Sequence, residues 1–237
     1  MYTTQNFVII VAGGQGLRMG ADIKKQYLCL DAVPVLTRTL MAFDSHADID
    51  EIVLVIPQND YDYCKSQIIA PYGFKKKIHI VPGGEQRQDS VLNGLEKLKK
   101  VCMPDTDKIV LIHDGVRPFV GKDVIRDCIL GAQKNGACVP AVKITDTVKQ
   151  ADEYFCVEKT IPRQQLYCVQ TPQAFRLELI LSAFEYAGKT SFTGTDDASI
   201  VEHAGQKVMI SKGSKFNIKI TTPEDLVIGE SFVGLKI

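Results

Sequence analysis

The sequence predicts an α/β protein with a Rossmann-like, mostly parallel sheet flanked by helices and a protruding β-hairpin arm. Short, continuous apolar runs rich in β-branched residues are typical of strands that are buried on both faces. Amphipathic patterns of helical length lie between these runs. Strands that alternate with helices along the chain favour a parallel sheet covered on both sides.

The predicted elements follow in order. Strands are expected at 7–12, 52–57, 78–81, 109–113 and 137–142. Helices are expected at 34–45, 90–100, 122–136 and 176–188. Ser90 is a candidate N-cap of the helix at 90–100, and Gly136 is the stop signal of the helix at 122–136.

The regular alternation ends at Lys143. Alternating residues from about 143 to 165, around the turn QADEY, predict a hairpin arm with little core of its own. Beyond the arm we expect a late pair of strands at 208–213 and 216–220, and then a closing helix that begins near TTPED. The chain shows neither an internal repeat nor a linker, so we expect a single domain over residues 1–237.

Composition excludes some functions. The 28 Lys and Arg residues balance the 28 Asp and Glu residues, which argues against binding to nucleic acid or to an anionic membrane. The apolar run at 7–12 is far too short to span a bilayer. Seven scattered cysteines without a CxxC pair indicate reduced thiols rather than a zinc site. We therefore expect a cytoplasmic protein.

A glycine-rich loop, AGGQGLRMG, follows the first predicted strand directly. Gly13, Gly14 and Gly16 have no Cβ, so their backbone N–H groups can approach an anion closely. The loop lacks the G-x-G-x-x-G pattern because Met19 stands where the last glycine is required, and it lacks a Walker A lysine. A tight strand-to-helix turn remains the structural alternative.

Cations distinguish the two interpretations of this loop. Arg18 lies inside it, and Lys25 follows it closely. A turn needed only for geometry gains nothing from clustered positive charge, whereas a triphosphate requires backbone dipoles, cationic side chains and a metal together. The loop therefore predicts a nucleoside triphosphate site.

Several blocks carry a family resemblance across nearly the whole chain. They are VAGGQGLRMG, KKQYLCL, GGEQRQDSVLNGL, IHDGVRPFV, TIPRQQL, QTPQAF, TDDASIVE and NIKITTPEDL. Together they resemble the 2-C-methyl-D-erythritol 4-phosphate cytidylyltransferases, nucleotidyltransferases of the non-mevalonate isoprenoid pathway. The ribitol-5-phosphate cytidylyltransferases share most of the blocks, but KQYL and TIPR favour the isoprenoid enzymes. A nucleotide-binding regulatory domain without catalysis is a third alternative.

The resemblance implies transfer of CMP from CTP to a polyol phosphate with release of pyrophosphate, and it assigns roles. Catalysis falls to Arg18, Lys25 and Lys219. Nucleotide binding falls to Ala12, Gly13, Gly14, Gly16, Gly84, Glu85, Ser90 and Gly115. Binding of the second substrate falls to Arg163, Thr171, Thr195 and Lys219. Asp114 would hold Mg²⁺, since that ion needs few protein ligands. The family also implies a homodimer built through the arm.

Overall fold

The structure is a computed structural model that describes residues 4–14, 24–102 and 107–235. The strands in chain order are β1 Gln5–Val11, β2 Cys29–Leu30, β3 Val33–Pro34, β4 Glu51–Ile56, β5 Ile78–Pro82, β6 Lys108–Asp114, β7 Ala137–Lys143, β8 Val148–Ala151, β9 Val157–Ile161, β10 Tyr167–Val169, β11 Gln173–Arg176 and β12 Met209–Lys212. The helices are α1 Val35–Asp44, α2 Tyr61–Tyr63, α3 Arg87–Val101, α4 Lys122–Asn135, α5 Leu177–Lys189, α6 Asp197–His203 and α7 Pro223–Phe232.

One mixed, mostly parallel sheet organises the described chain. Its strand order is β10-β7-β11-β6-β1-β4-β5, and β12 pairs with the other edge of β7. The β6, β1, β4 and β5 strands are mutually parallel neighbours, whereas β10 and β11 run antiparallel. The predicted α/β class is confirmed.

The alternation of side chains along β1 explains why helices cover both faces of the sheet. Val8 and Ile10 face one apolar cluster, which includes side chains of α1 and α4. Phe7 and Ile9 face a second cluster, which includes side chains of α3, α5 and α6. Because both faces are buried, every position from Phe7 to Ile10 is apolar, and the strand carries no alternating pattern.

The predicted start of α3 is wrong by one helical turn. The helix begins at Arg87, and the Asp89 carboxylate accepts the backbone N–H of Gln86 at 2.9 Å. This contact satisfies a free helix-end donor, which was the role predicted for Ser90. Ser90 instead lies inside the first turn, where its hydroxyl is available to the neighbouring loop.

The predicted strand at 216–220 is also wrong. β12 pairs in parallel with β7, and residues 217–220 run past the end of β6 without joining a sheet. Arg117 Nη1 donates to the carbonyl of Asn217 at 2.8 Å, and the Ile220 N–H donates to Val116 at 2.9 Å. These bonds hold the segment in a non-strand path beside the sheet.

The predicted arm is confirmed as a hairpin. β8 and β9 pair antiparallel with each other, and within the described residues they form a sheet separate from the main one. Tyr154 and Phe155, at the turn, are 77% and 92% exposed. The arm therefore carries apolar side chains that the described chain does not cover.

Gly94 tests the fit between α3 and the sheet, because a Cβ there would lie 2.7 Å from Ile9 Cγ2. We expect Gly94→Ala to lower the free energy of unfolding by about 1–3 kcal/mol through overpacking, despite its better helix propensity. Gly188 of α5 is the matched control, since a Cβ there meets nothing within 4 Å. Urea unfolding of both variants checks this; equal stabilities would contradict the close packing.

Candidate active site

A cleft lies at the carboxyl ends of β1 and β6, where ligands bind in open α/β sheets. Val11 and Asp114, the last residues of these two strands, are register partners. The lining residues come from both strand ends, the glycine loop, the first turn of α3 and the segment after β12. They are Val11, Ala12, Gly13, Gly14, Lys25, Gln26, Gly84, Glu85, Gln86, Arg87, Ser90, Asp114, Val116 and Lys219.

Gln26 fixes the described start of the glycine loop. Its side chain is 1% exposed, and Nε2 donates to the carbonyls of Ala12 at 3.0 Å and Gly14 at 3.3 Å. With these carbonyls bound from behind, the backbone is held in one conformation. Lys24, two residues before Gln26, pairs with Asp60 at 2.7 Å.

The Ser90 hydroxyl holds the neighbouring loop against α3. Its Oγ accepts the N–H of Gly84 at 3.0 Å and donates to the carbonyl of Gln86 at 3.1 Å. Gly84 must be glycine in this geometry, because a Cβ would lie 2.2 Å from the Cβ of Asp89. Both predicted nucleotide residues therefore meet at one wall of the cleft.

Asp114 is 7% exposed and faces three cations from three parts of the fold. Its Oδ2 lies 3.0 Å from Arg117 Nε and 3.1 Å from Lys219 Nζ. Its Oδ1 lies 4.0 Å from Arg87 Nε. Such pairing is what allows a carboxylate to remain ionised away from water.

The charges at Asp114 fix its protonation state. Burial by itself raises the pKa of this carboxyl. Lys219, Arg117 and Arg87 more than offset that effect and hold the pKa well below its usual range. The ionised form of Asp114 is therefore strongly favoured over the neutral form.

His113 and Thr171 form a buried chain of hydrogen bonds behind Asp114. The Thr171 hydroxyl accepts the Asp114 N–H at 3.1 Å and lies 3.0 Å from His113 Nδ1. His113 Nε2 lies 3.1 Å from the carbonyl of Arg117, so Nε2 carries the proton and Nδ1 accepts from Thr171. His113 is fully buried, so it supports the strand end from within the fold and does not face the cleft.

The remaining predicted site residues lie in different places. Gly16 and Arg18 are outside the described residues. Gly115 is buried behind the cleft, where its N–H donates to the carbonyl of Val11 and its own carbonyl accepts from the Thr39 hydroxyl. Thr195 is exposed just before α6.

Arg163 is also exposed, and it lies away from the cleft at the base of the arm, where it donates to the carbonyl of Thr145. Within one chain, the structure therefore does not bring Arg163 together with the residues that line the cleft. The other predicted substrate residues, Thr171 and Lys219, do lie beside Asp114.

Arg87 was missed by sequence reasoning although it lines the cleft and faces Asp114. Gln26 was missed as well. The available signal for Arg87 was its place between Gly84 and Ser90 in the block GGEQRQDS, one turn from residues that were predicted. A buried glutamine such as Gln26 has no comparable signal in a single sequence.

The comparisons with known proteins decide the family. A family model described as IspD, 2-C-methyl-D-erythritol 4-phosphate cytidylyltransferase, matches residues 6–234. The chain belongs to this family. It is therefore a cytidylyltransferase, one of the nucleotidyltransferases.

Relatives of the same description match along more than nine-tenths of their length. The 2-C-methyl-D-erythritol 4-phosphate cytidylyltransferase of Alkaliphilus metalliredigens is 46% identical over 96% of this chain and 92% of its own. That of Bacillus cereus is 44% identical over 100% of this chain and 99% of its own. The crystal structure of the 4-diphosphocytidyl-2C-methyl-D-erythritol synthase from Anaerococcus prevotii aligns with a TM-score of 0.82 at 35% identity, covering 97% and 96% of the two chains.

Two further observations concern the described part of the chain alone. None of its helices combines the length and the apolar character needed to cross a bilayer. Nor does it hold a group of three or more His, Cys, Asp or Glu side chains placed to bind a metal ion.

The burial of His113 predicts that the free energy of unfolding depends on pH. Burial lowers the pKa of His113 to about 4, below the value of about 6.5 in an unfolded chain. The unfolded state therefore binds the proton more readily. The contribution of neutral His113 to the free energy of unfolding is present above pH 6.5 and is lost as the pH falls towards 4. Between pH 7 and 4.5 the loss is about 2 kcal/mol.

His113→Gln should remove that part of the pH dependence, even if the variant is less stable throughout. Urea unfolding at several pH values between 7 and 4.5 measures it for both proteins. Equal slopes for the wild type and the variant would show that His113 is not the group that titrates.

Proposed function

We propose that this cleft transfers CMP from CTP to 2-C-methyl-D-erythritol 4-phosphate, with release of pyrophosphate, as a step of isoprenoid biosynthesis. The observation that carries the proposal is the Asp114 cluster, in which Lys219, Arg117 and Arg87 surround one carboxylate, with Lys219 and Arg87 lining the same cleft as Gly13 and Gly14. Family membership supports the reaction, and the names of the relatives favour methylerythritol phosphate over ribitol phosphate.

The reaction needs positioning and charge rather than a general base. A phosphate oxygen of the acceptor attacks the α-phosphorus of CTP, and the bond from that phosphorus to the pyrophosphate oxygen breaks. The attacking oxygen is already ionised at neutral pH, so no proton has to be removed. This fits a site whose histidine is buried, neutral and bonded on both ring nitrogens.

Cationic side chains would stabilise the charge that grows on the α-phosphate. Lys25 lines the cleft from the short 3-10 helix at Lys25–Tyr27, and Lys219 lines it from the segment after β12. Arg18 would join them on the triphosphate. Gly84 and Ser90 would present polar groups to the cytosine edge, and a base that cannot match buried polar groups is strongly disfavoured.

The donor set at Asp114 fits Mg²⁺. The ion prefers oxygen ligands and is commonly held by one or two carboxylates together with substrate phosphates. Oδ2 is engaged by two close cations, whereas the pair at Oδ1 is longer, at 4.0 Å, so we assign Oδ1 as the metal ligand. When bound, the ion would neutralise phosphate charge and orient the triphosphate.

The arm supports a further proposal, that the enzyme acts as a homodimer in which Arg163 serves the partner's site. A two-stranded ribbon is marginal alone in water, and its apolar tip is exposed here. Arg163 lies on the arm side of the fold and outside the cleft of its own chain. A two-fold dimer would cover the arm and bring Arg163 to a cleft.

Substitution of either cleft lysine tests the catalytic assignment. Lys25→Ala and Lys219→Ala should each lower turnover by on the order of 10²–10³, the scale for one preorganised transition-state contact. Lys212→Ala, on the exposed face of β12, is the matched control and should leave turnover unchanged.

Pyrophosphate release from CTP and Mg²⁺ is the measurement, with methylerythritol phosphate and ribitol phosphate offered separately. Near-normal turnover in either cleft variant would remove that lysine from the catalytic set. Faster turnover with ribitol phosphate would replace the proposed acceptor, and no turnover with either would favour the non-catalytic alternative.

Complementation tests the shared site. Lys25→Ala and Arg163→Ala, unfolded together and refolded as a mixture, form mixed dimers by random pairing. If Arg163 acts across the interface, each mixed dimer has one complete site, so about a quarter of all sites recover activity. If it serves its own chain, activity stays at the level of the separate variants although dimer exchange is verified.

A further inference from the structure

Arg87 joins α3 to the start of α6 through an ion pair with the buried carboxylate of Asp197. Its Nη1 lies 3.0 Å from Asp197 Oδ1, and its Nη2 lies 2.6 Å from Oδ2. This is a bidentate fork, the geometry that fixes both partners in orientation as well as distance. Asp197 is completely buried, so its carboxylate cannot itself contact a ligand in the cleft.

A second contact ties the same two regions together. Gln88, the next residue of α3, donates from Nε2 to the carbonyl of Phe192 at 3.2 Å and accepts the Gly194 N–H at Oε1 at 3.1 Å. The segment from 192 to 197 is therefore held at both ends by one turn of α3. Thr195, assigned to the acceptor substrate, lies between the two anchoring points.

The start of α6 does not need this ion pair in order to form. Asp196 already caps the helix by accepting the Ser199 N–H at 2.9 Å, and Gln173 donates to Asp196 at 2.7 Å. A buried ion pair is often no more stabilising than apolar side chains of the same size. What the pair does provide is a fixed geometry between the first turn of α3 and the segment from 192 to 197.

The Arg87 guanidinium also faces Asp114, with its Nε 4.0 Å from Oδ1. Burial alone would lower the pKa of Arg87, but Asp197 first and Asp114 next raise it above its usual value. The Arg87 cation is thus shared between Asp114, the candidate metal ligand, and Asp197, which anchors the Thr195 segment.

We propose that Arg87 is a positioning residue, which acts through Asp197 to hold the acceptor-binding segment at a fixed distance from the nucleotide wall and from Asp114. The nucleotide wall is the loop at Gly84 and the first turn of α3. This inference rests on the proposed function, in which the nucleotide wall binds CTP and the Thr195 segment binds the acceptor.

The test compares Asp197→Asn, Arg87→Lys and the double variant. Asp197→Asn should raise KM for methylerythritol phosphate about 10- to 100-fold, the penalty for a misplaced reacting group. Affinity for CTP, measured by calorimetry without the acceptor, should change by less than about 3-fold. Arg87→Lys should act in the same direction, and the double variant should be no worse than the worse single variant, since coupled residues are not additive.

Gln88→Ala keeps the inference testable if the charge variants fail to fold, because it loosens the same segment without unpairing a buried charge. It should raise the same KM in the same direction by a smaller factor. Glu185→Gln, which breaks an exposed pair with Lys189, is the control and should change neither KM for methylerythritol phosphate nor affinity for CTP. If Arg87 and Asp197 had a merely structural role, the variants would have a lower folded fraction, with KM for methylerythritol phosphate and affinity for CTP unchanged.

Two results would overturn the inference. One is an unchanged KM for the acceptor in folded Asp197→Asn, or in Gln88→Ala if the former does not fold. The other is a loss of CTP affinity in Arg87→Lys that Asp197→Asn does not share, which would place Arg87 in direct contact with the nucleotide. Absence of CMP transfer in the wild type would instead overturn the proposed function, so the two failures are distinguishable.

Discussion

The buried carboxylate of Asp114 is the constraint on which the rest of the cleft depends. An anion with so little exposure is stable only when cations surround it. Here they come from three separate parts of the chain: Arg87 from α3, Arg117 from the turn after β6 and Lys219 from the segment after β12. Electrostatics therefore draws together elements that the sheet alone would leave apart.

The same cluster links fold to chemistry. Thr171 and His113 hold the backbone of Asp114 from behind, so the carboxylate has a fixed position at the strand end. Arg117 joins Asp114 to the carbonyl of Asn217 and so fixes the segment that presents Lys219. In the proposed reaction, phosphate and metal would enter a field whose charges are already in place, and preorganisation of this kind is a large part of catalysis.

The sequence predicted those features that depend on local pattern. Buried parallel strands are apolar throughout, so β1, β4 and β6 could be recognised directly, whereas Asp114 was assigned through the family resemblance. The segment 216–220 was misread because its apolar residues alternate as in a strand. The bonds that hold it elsewhere reach Arg117, which is 100 residues away in the chain. Arg87 was missed for a similar reason, since its partner Asp197 is 110 residues away.

The most direct test is the binding of a CTP analogue with a non-cleavable α,β-methylene bridge, measured by calorimetry with and without Mg²⁺. The wild type should bind it more tightly when Mg²⁺ is present, because Asp114 as the proposed ligand would hold the ion against the phosphates. Folded Asp114→Asn should lose that enhancement, since the neutral amide is a weaker metal ligand. An equal enhancement in both proteins would contradict the central place given to Asp114.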